Sequence, residues 1–252
     1  LKVNPFLLAM MSNTLDRDSQ TLYFYFNPNC PYAQRSWITL LELGTAFEPV
    51  EIELGKDNKT DWFRAMNPNG TVPTIKHGEN VLYESLVVNE YLCEVFDGKE
   101  GALMPSTAGD RGLARILMSR CDAKLVKLGY SYLSQKREED AAKDDQLRSQ
   151  LEEELRFLDE KISETEGTYF LGEKLTLADI AFIPFFQRMS VALKAFKDFD
   201  IKSLNLPHLN AWLDAISERE SCTQTQMSPE KIQEVYARFL NIDYFKRAGV
   251  AN

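Results

Sequence analysis

Apolar and polar positions divide this chain into two regions with different periods. Leu22-Tyr23-Phe24-Tyr25-Phe26 is a short, continuous aromatic and aliphatic run, which predicts a buried strand. Asn27-Pro28-Asn29 breaks it, and Cys30-Pro31 opens a helix, because proline at the first helical position gives up an N–H that had no partner there. Trp37, Leu40 and Leu41 supply its apolar face and Gly44 its stop. Phe47, Val50, Ile52 and Leu54 mark a second strand over 47–54, and Trp62-Phe63 a short helix. Val72-Pro73-Thr74-Ile75 and Val81-Leu82-Tyr83 flank the turn Gly78-Glu79-Asn80, the pattern of a hairpin. Ser85 then precedes a helix expected to bury Val88, Tyr91, Leu92 and Val95. The predicted order is β-α-β-α-β-β-α.

Beyond a segment rich in glycine and proline the pattern is helical throughout. Leu113, Leu117, Cys121, Leu125 and Leu128 recur at three or four residues, as do Leu147, Leu151, Leu155, Leu158 and Ile162. The charged run 137–145 reads as a solvated helix end or connector. Ile180 to Phe186 is apolar on every side, so that helix belongs in the middle of its domain, bent at Pro184. Pro207, Trp212, Leu213 and Ile216 define a further helix, and Ser228-Pro229 caps a last one with Ile232, Val235, Tyr236 and Phe239 inward. The expected organisation is an N-terminal extension over 1–19, an α/β domain over 20–97, a linker over 98–110 and an all-helical domain over 111–252.

Composition narrows the function classes. The chain has 252 residues, 44% of them apolar and 27% charged, which is ordinary for a globular protein. Its 29 basic and 38 acidic residues leave a net charge of −9, a sign that repels phosphate backbones and argues against nucleic acid as a partner. No apolar run reaches the roughly 20 residues of a membrane helix, which speaks against membrane association. Cys30, Cys93, Cys121 and Cys222 form no CxxC pair and no zinc-ligand spacing, so no metal site is expected, and a reducing, cytoplasmic setting is the simpler reading. Removal of an organelle-targeting segment ahead of the extension is compatible with it. Gly167 to Lys174 approaches a phosphate-binding loop, but Glu173 stands where lysine is needed.

Three features carry chemistry. Cys30-Pro31-Tyr32-Ala33-Gln34-Arg35 puts a thiol at a helix N-terminus, where unpaired N–H groups and the helix dipole favour an anion. A cysteine of ordinary pKa, about 8.5, is only about 3% thiolate at pH 7, whereas such sites reach roughly 3.5–7.5. Arg35 adds positive charge to the same segment. Val72-Pro73 brings proline into a strand, where it serves a turn, an edge or a cis bond that would aim the Val72 backbone at an extended ligand. Glu84-Ser85 ends a strand and opens a helix, and offers either a plain cap or a carboxylate for an amine beside a hydroxyl and amides for a carboxylate.

On this frame the chain resembles the glutathione transferase superfamily, with its cysteine-type omega and lambda classes most similar. The motifs are the Cys-Pro-aromatic-Ala-x-Arg segment, Asn67-Pro68-Asn69-Gly70-Thr71-Val72-Pro73, Tyr83-Glu84-Ser85 and Leu175-Thr176-Leu177-Ala178-Asp179, and the likeness runs from about Leu22 to Phe239. The last is a capping box, structural in this family. The resemblance implies a thioredoxin-like N-terminal domain that binds glutathione and an all-α C-terminal domain. Cys30 would form a mixed disulfide with glutathione, as the co-substrate. Tyr32 would lie beside it, Lys59 would meet its glycine end, Val72 with Pro73 its cysteinyl part, and Glu84 and Ser85 its γ-glutamyl end. Ala33 occupies the place of the second cysteine of a dithiol enzyme, so a monothiol cycle is implied.

The function implied is a glutathione-dependent thiol transferase or reductase: a thioltransferase, dehydroascorbate reductase or deglutathionylase acting on a small electrophile, disulfide or glutathionylated substrate, as a homodimer. The alternative is a non-enzymatic protein of the same fold, either chloride intracellular channel-like or a ligand-binding module. Tyr130, Tyr132 and Phe186 are candidates for a second-substrate pocket, but core positions are the better reading of them.

Overall fold

The computed structural model describes residues 21–97 and 103–251. The expected extension over 1–19 and the first residues of the linker lie outside them. The chain divides into two compact units, one ending at Gly101 and the other beginning at Ala102.

In the first unit β1 (Leu22–Phe26) leads into α1 (Pro31–Glu42), β2 (Glu48–Glu51), α2 (Asp61–Met66), β3 (Thr74–His77), β4 (Asn80–Tyr83) and α3 (Ser85–Phe96). The strands form one sheet in the order β2-β1-β3-β4, with β1 parallel to β2 and both other pairs antiparallel. This is the expected β-α-β-α-β-β-α order. The sheet period of two turns Leu22, Phe24 and Phe26 inward and leaves Tyr23 and Tyr25 half-buried. Phe24 stacks on Phe26 at 5.1 Å and meets the edge of Phe47 at 5.7 Å. Ala33 and Leu40 from α1, Phe63 from α2, Ile75 from β3, and Val88 and Leu92 from α3 complete that core. A side chain such as Phe24 contributes about 1.5–3 kcal/mol by leaving water.

Two local differences have visible causes. β2 stops at Glu51 and does not continue to Leu54. The N–H of Glu53 is taken by the Asp57 carboxylate at 2.9 Å, which turns the chain into a 3-10 turn over Asp57–Lys59. Val95 is exposed, because the buried stripe of α3 runs through Ser85, Val88, Asn89, Leu92 and Cys93.

The second unit is all-helical: α4 (Ala108–Arg120), α5 (Lys127–Ser134), α6 (Ala141–Ser163), α7 (Leu177–Lys197), α8 (Pro207–Glu218), α9 (Glu220–Thr225), α10 (Pro229–Asn241) and α11 (Tyr244–Arg247). α4 starts inside the expected linker, because the Thr107 hydroxyl accepts the Asp110 N–H at 3.1 Å and caps it. A π-helical turn over Cys121–Val126 joins α4 directly to α5. It adds a residue to the turn, so the buried stripe passes to Leu125, Val126, Gly129 and Tyr130 and leaves Leu128 half-buried. Leu113 is exposed; Ala114, Leu117 and Met118 face inward.

α7 runs through Pro184, and Ile180 to Phe186 are buried as expected. Its start is the foreseen capping box. The Asp179 carboxylate accepts the N–H and hydroxyl of Thr176, each at 2.8 Å, the Phe170 N–H at 3.0 Å and the Trp212 indole N–H at 2.9 Å. Burial pushes the Asp179 carboxyl up, and the four hydrogen bonds pull it down. The charged run 137–145 is a solvated helix start as expected, exposed at every position but one, with Asp140 as the N-cap of α6. Asp144 is buried, paired to Lys197 and to Arg137.

Candidate active site

Every residue expected to bind glutathione lies in the first unit. Cys30 is the N-cap of α1, in extended backbone at φ −84° and ψ 118°, with Pro31 following. The turn before it is tied down by Asn27, whose side chain accepts the Asn29 N–H at 3.0 Å and donates to the Ile52 carbonyl at 2.9 Å. The Asn27 carbonyl accepts the Cys30 N–H at 3.0 Å. The thiol is half-buried and donates to the Val72 carbonyl at 3.6 Å. Cys93, Cys121 and Cys222 are buried. Burial pushes the Cys93 thiol up to about 12, while the Cys121 thiol donates to the Ala181 carbonyl at 3.2 Å.

The Val72–Pro73 peptide bond is cis. The loop before it is organised by Asn67, which is fully buried. Its amide donates to the carbonyl and hydroxyl of Thr71 at 2.9 and 3.1 Å and to the Thr74 hydroxyl at 3.0 Å. Its side-chain oxygen accepts the Asn69 N–H at 3.0 Å. A buried amide satisfied on both ends fixes the loop that presents Val72. Gly70 sits at φ +61°, and a Cβ there would stand 2.7 Å from the Asn58 carbonyl oxygen. Asn58 in turn donates to the Gly70 carbonyl at 2.7 Å.

That pairing holds the 3-10 turn carrying Lys59 against the same loop. Lys59 is exposed, and among the described residues its ammonium has no ion-pair partner. Such a cation suits the carboxylate of a ligand.

Glu84 is the N-cap of α3 and stands at φ +71°, in a region few non-glycine residues enter. Its carboxylate accepts the Asn69 amide at 3.2 Å. Strain of this kind persists only where the surroundings impose it and gathers at binding sites. Ser85 is the first helical residue, not the cap, and is buried. Its hydroxyl accepts a hydrogen bond from Arg35 Nη1 at 3.2 Å. Arg35 is completely buried, and its guanidinium carbon stands 5.2 Å from the centre of the Tyr32 ring. Ser36 donates to Asn89 at 2.7 Å and adds a second tie between α1 and α3.

The structure therefore joins Cys30 to Val72, Tyr32 to Ser85 through Arg35, and Glu84 to the 67–71 loop. The sequence reading missed Asn67 and Asn69 as organisers, although the Asn-Pro and Asn-Gly pairs marked a turn. Of the suggested second-pocket residues, Tyr130, Tyr132 and Phe186 are buried core, with Tyr130 hydrogen-bonded to Tyr236 at 3.0 Å and stacked on Phe245. No helix among the described residues is long and apolar enough to cross a membrane.

The sequence matches the family "Glutathione S-transferase, N-terminal domain" over residues 24–100 and "Glutathione S-transferase, C-terminal domain" over residues 121–220. It is 30% identical over 222 residues to Glutathione S-transferase L1 of Arabidopsis thaliana, covering 87% of this chain and 88% of that one. The crystal structure of glutathione transferase Omega 3C from Trametes versicolor superposes with a TM-score of 0.77 at 28% identity, over 94% of this chain and 96% of that one. A rice glutathione transferase solved in complex with glutathione superposes with a TM-score of 0.77 at 25% identity, over 89% and 98% of the two chains.

Proposed function

The chain belongs to the glutathione S-transferase family, and from that premise we propose that it is a glutathione-dependent thiol transferase of omega-like type with Cys30 as its nucleophile. The observation that carries this reading is the Cys30 thiol itself. It is half-buried at the N-cap of α1 beside the Val72 carbonyl, while the other three cysteines are buried elsewhere. A serine or tyrosine in that place would only activate bound glutathione. A cysteine there can itself bond to sulfur.

The Cys30 thiolate attacks the glutathionyl sulfur of a mixed disulfide, forms an enzyme–glutathione disulfide and releases the substrate as a thiolate, which takes up a proton. The thiolate of a second glutathione then attacks the same glutathionyl sulfur. Oxidised glutathione leaves, and the Cys30 thiolate is regenerated. No second cysteine is needed, in keeping with Ala33 three residues on. Val72 and Pro73 meet the cysteinyl backbone, Lys59 the glycine carboxylate, Tyr32 flanks the tripeptide, and Glu84 and Ser85 hold the γ-glutamyl amine and carboxylate. Small mixed disulfides and glutathionylated proteins fit this exchange. Dehydroascorbate would take the Cys30 thiolate at a carbonyl carbon. A glutathione thiolate would then attack the Cys30 sulfur, break that S–C bond, form the enzyme–glutathione disulfide and release ascorbate, after which a second glutathione regenerates Cys30 as above.

A homodimer in a reducing compartment, the cytosol in the simplest case, completes the proposal. The exposed Leu113 and Ile116 on α4 support an interface, and sedimentation at high concentration showing only a 29 kDa species would contradict it. Oxidised glutathione followed by intact-mass analysis tests the central step. One glutathionyl adduct at Cys30, reversed by reduced glutathione, is the expected result; no adduct at Cys30 would refute it.

A further inference from the structure

Asn27 stands between the end of β1 and the Cys30 thiol and is bonded on three sides. Its backbone carbonyl accepts the Cys30 N–H at 3.0 Å, which closes a four-residue turn over 27–30. Asparagine first and proline second is a favoured order for such a turn. The Asn27 side-chain oxygen accepts the Asn29 N–H at 3.0 Å and stiffens the same turn. Its side-chain nitrogen donates to the Ile52 carbonyl at 2.9 Å. Ile52 is buried, and its own N–H goes to the Phe26 carbonyl at 2.7 Å. The Asn27 amide thus adds a rung to the pairing of β1 with β2 just where both strands end, and ties the turn to the sheet.

The last residue of that turn is Cys30, the N-cap of α1. As a thiol it donates to the Val72 carbonyl. A thiolate can only accept, and an acceptor on the N-cap residue meets the N–H of the second or third helical residue, here Tyr32 or Ala33. The Cys30 backbone decides whether the sulfur stands within reach of those groups, and Asn27 holds that backbone.

We propose that Asn27 is a positioning residue for the nucleophile, locking the 27–30 turn to the end of β2 so that the Cys30 sulfur stays at the opening of α1 when it ionises. This inference rests on the thiol-transfer reading above and deepens it. Asn27 acts through the backbone of the turn, as a positioning and not a catalytic residue. A purely structural asparagine would also tie β1 to β2, but its loss would lower stability and leave the acidity of Cys30 where it was.

The test is the pH dependence of Cys30 alkylation by iodoacetamide, followed by mass spectrometry of the Cys30 peptide, in the wild-type protein, Asn27→Ala and Asn27→Ser. Thermal unfolding verifies each fold. The wild-type rate rises with a midpoint inside the roughly 3.5–7.5 range of cysteines at helix N-termini. Asn27→Ala loses both side-chain bonds, and its midpoint moves up by about one unit or more, towards the ordinary value of about 8.5. Below both midpoints its alkylation is then slower by about tenfold or more, while the plateau at high pH stays within about twofold. Asn27→Ser keeps an acceptor for the Asn29 N–H but is too short to reach Ile52, so it moves the same way by less. An unmoved midpoint in a folded Asn27→Ala protein overturns the proposal, as does a wild-type midpoint at the ordinary value. If Asn27→Ala does not fold, Asn27→Ser decides by the same criterion. Alkylation needs no glutathione, so the two failures are distinct. Absence of a glutathionyl adduct at Cys30 refutes the thiol-transfer reading, and an adduct with an unmoved midpoint refutes only the role of Asn27.

Discussion

The Cys30 thiol donates a hydrogen bond to the Val72 carbonyl at 3.6 Å, across 42 positions of sequence. This contact joins the start of α1 to the loop entering β3, so the proposed nucleophile and the backbone proposed to receive an extended ligand are built as one unit. Asn27 fixes one side of the contact and Asn67 the other. A thiolate has no proton to donate, so ionisation of Cys30 releases the Val72 carbonyl to a ligand N–H.

Thiol-selective labelling should separate the four cysteines. Burial holds the Cys93 thiol up at about 12, and Cys121 and Cys222 are buried, so iodoacetamide at pH 8 should modify Cys30 first and alone in the folded protein. Peptide mapping by mass spectrometry checks this. The same raised value makes Cys93 stabilising below about pH 9. That contribution is lost as pH climbs towards 12, because the unfolded chain ionises first.

Lys59 is exposed and makes no ion pair among the described residues, so the contribution to glutathione binding proposed for it would be a solvent-screened one. Lys59→Ala should weaken binding by a factor of about 3–10, with a smaller loss at high salt, where the wild-type interaction is itself screened. Titration calorimetry at two ionic strengths measures both. An affinity unchanged at low salt would remove Lys59 from the site.

Arg120 and Glu154 form a two-pronged ion pair at 2.8 and 2.6 Å in the second unit, with the carboxylate buried. Burial pushes Glu154 up and Arg120 opposes it. Arg120→Ala should cost about 3–5 kcal/mol of stability at pH 7, since it strands a buried charge. With burial unopposed the folded carboxyl rises further. The penalty is therefore least below the ordinary glutamate value and grows as pH climbs through the raised one. Urea unfolding of both proteins at pH 4 and pH 7 tests the sign, and a larger penalty at pH 4 would contradict it.

Asp179→Ala should harm folding and spare chemistry. It orphans the buried N–H groups of Phe170, Thr176 and Trp212, each worth about 1–3 kcal/mol. A loss of several kcal/mol in denaturant unfolding is expected, with turnover per folded molecule retained.

Much of this was legible in the sequence because it is local. The run from Leu22 to Phe26 and the Cys30-Pro31 junction each define an element within a few residues, and the Thr176–Asp179 cap does the same. What escaped depends on contacts between distant segments. Arg35 meets Ser85 across 50 positions, and nothing in the spacing shows that a guanidinium and a hydroxyl will share a buried bond. The π-helical turn at Cys121 rotates the stripe that a strict helical period had carried on to Leu128. Asp144 was concealed in a charged run because its partner, Lys197, lies at the far end of the next helix, 53 positions on.

The most direct measurement is glutathione-dependent reduction of a small mixed disulfide by the wild-type protein and Cys30→Ala side by side. Turnover by the wild-type protein and none by the variant is the predicted result. Equal turnover in the two would contradict the assignment of Cys30, and no turnover in either would contradict thiol transfer itself.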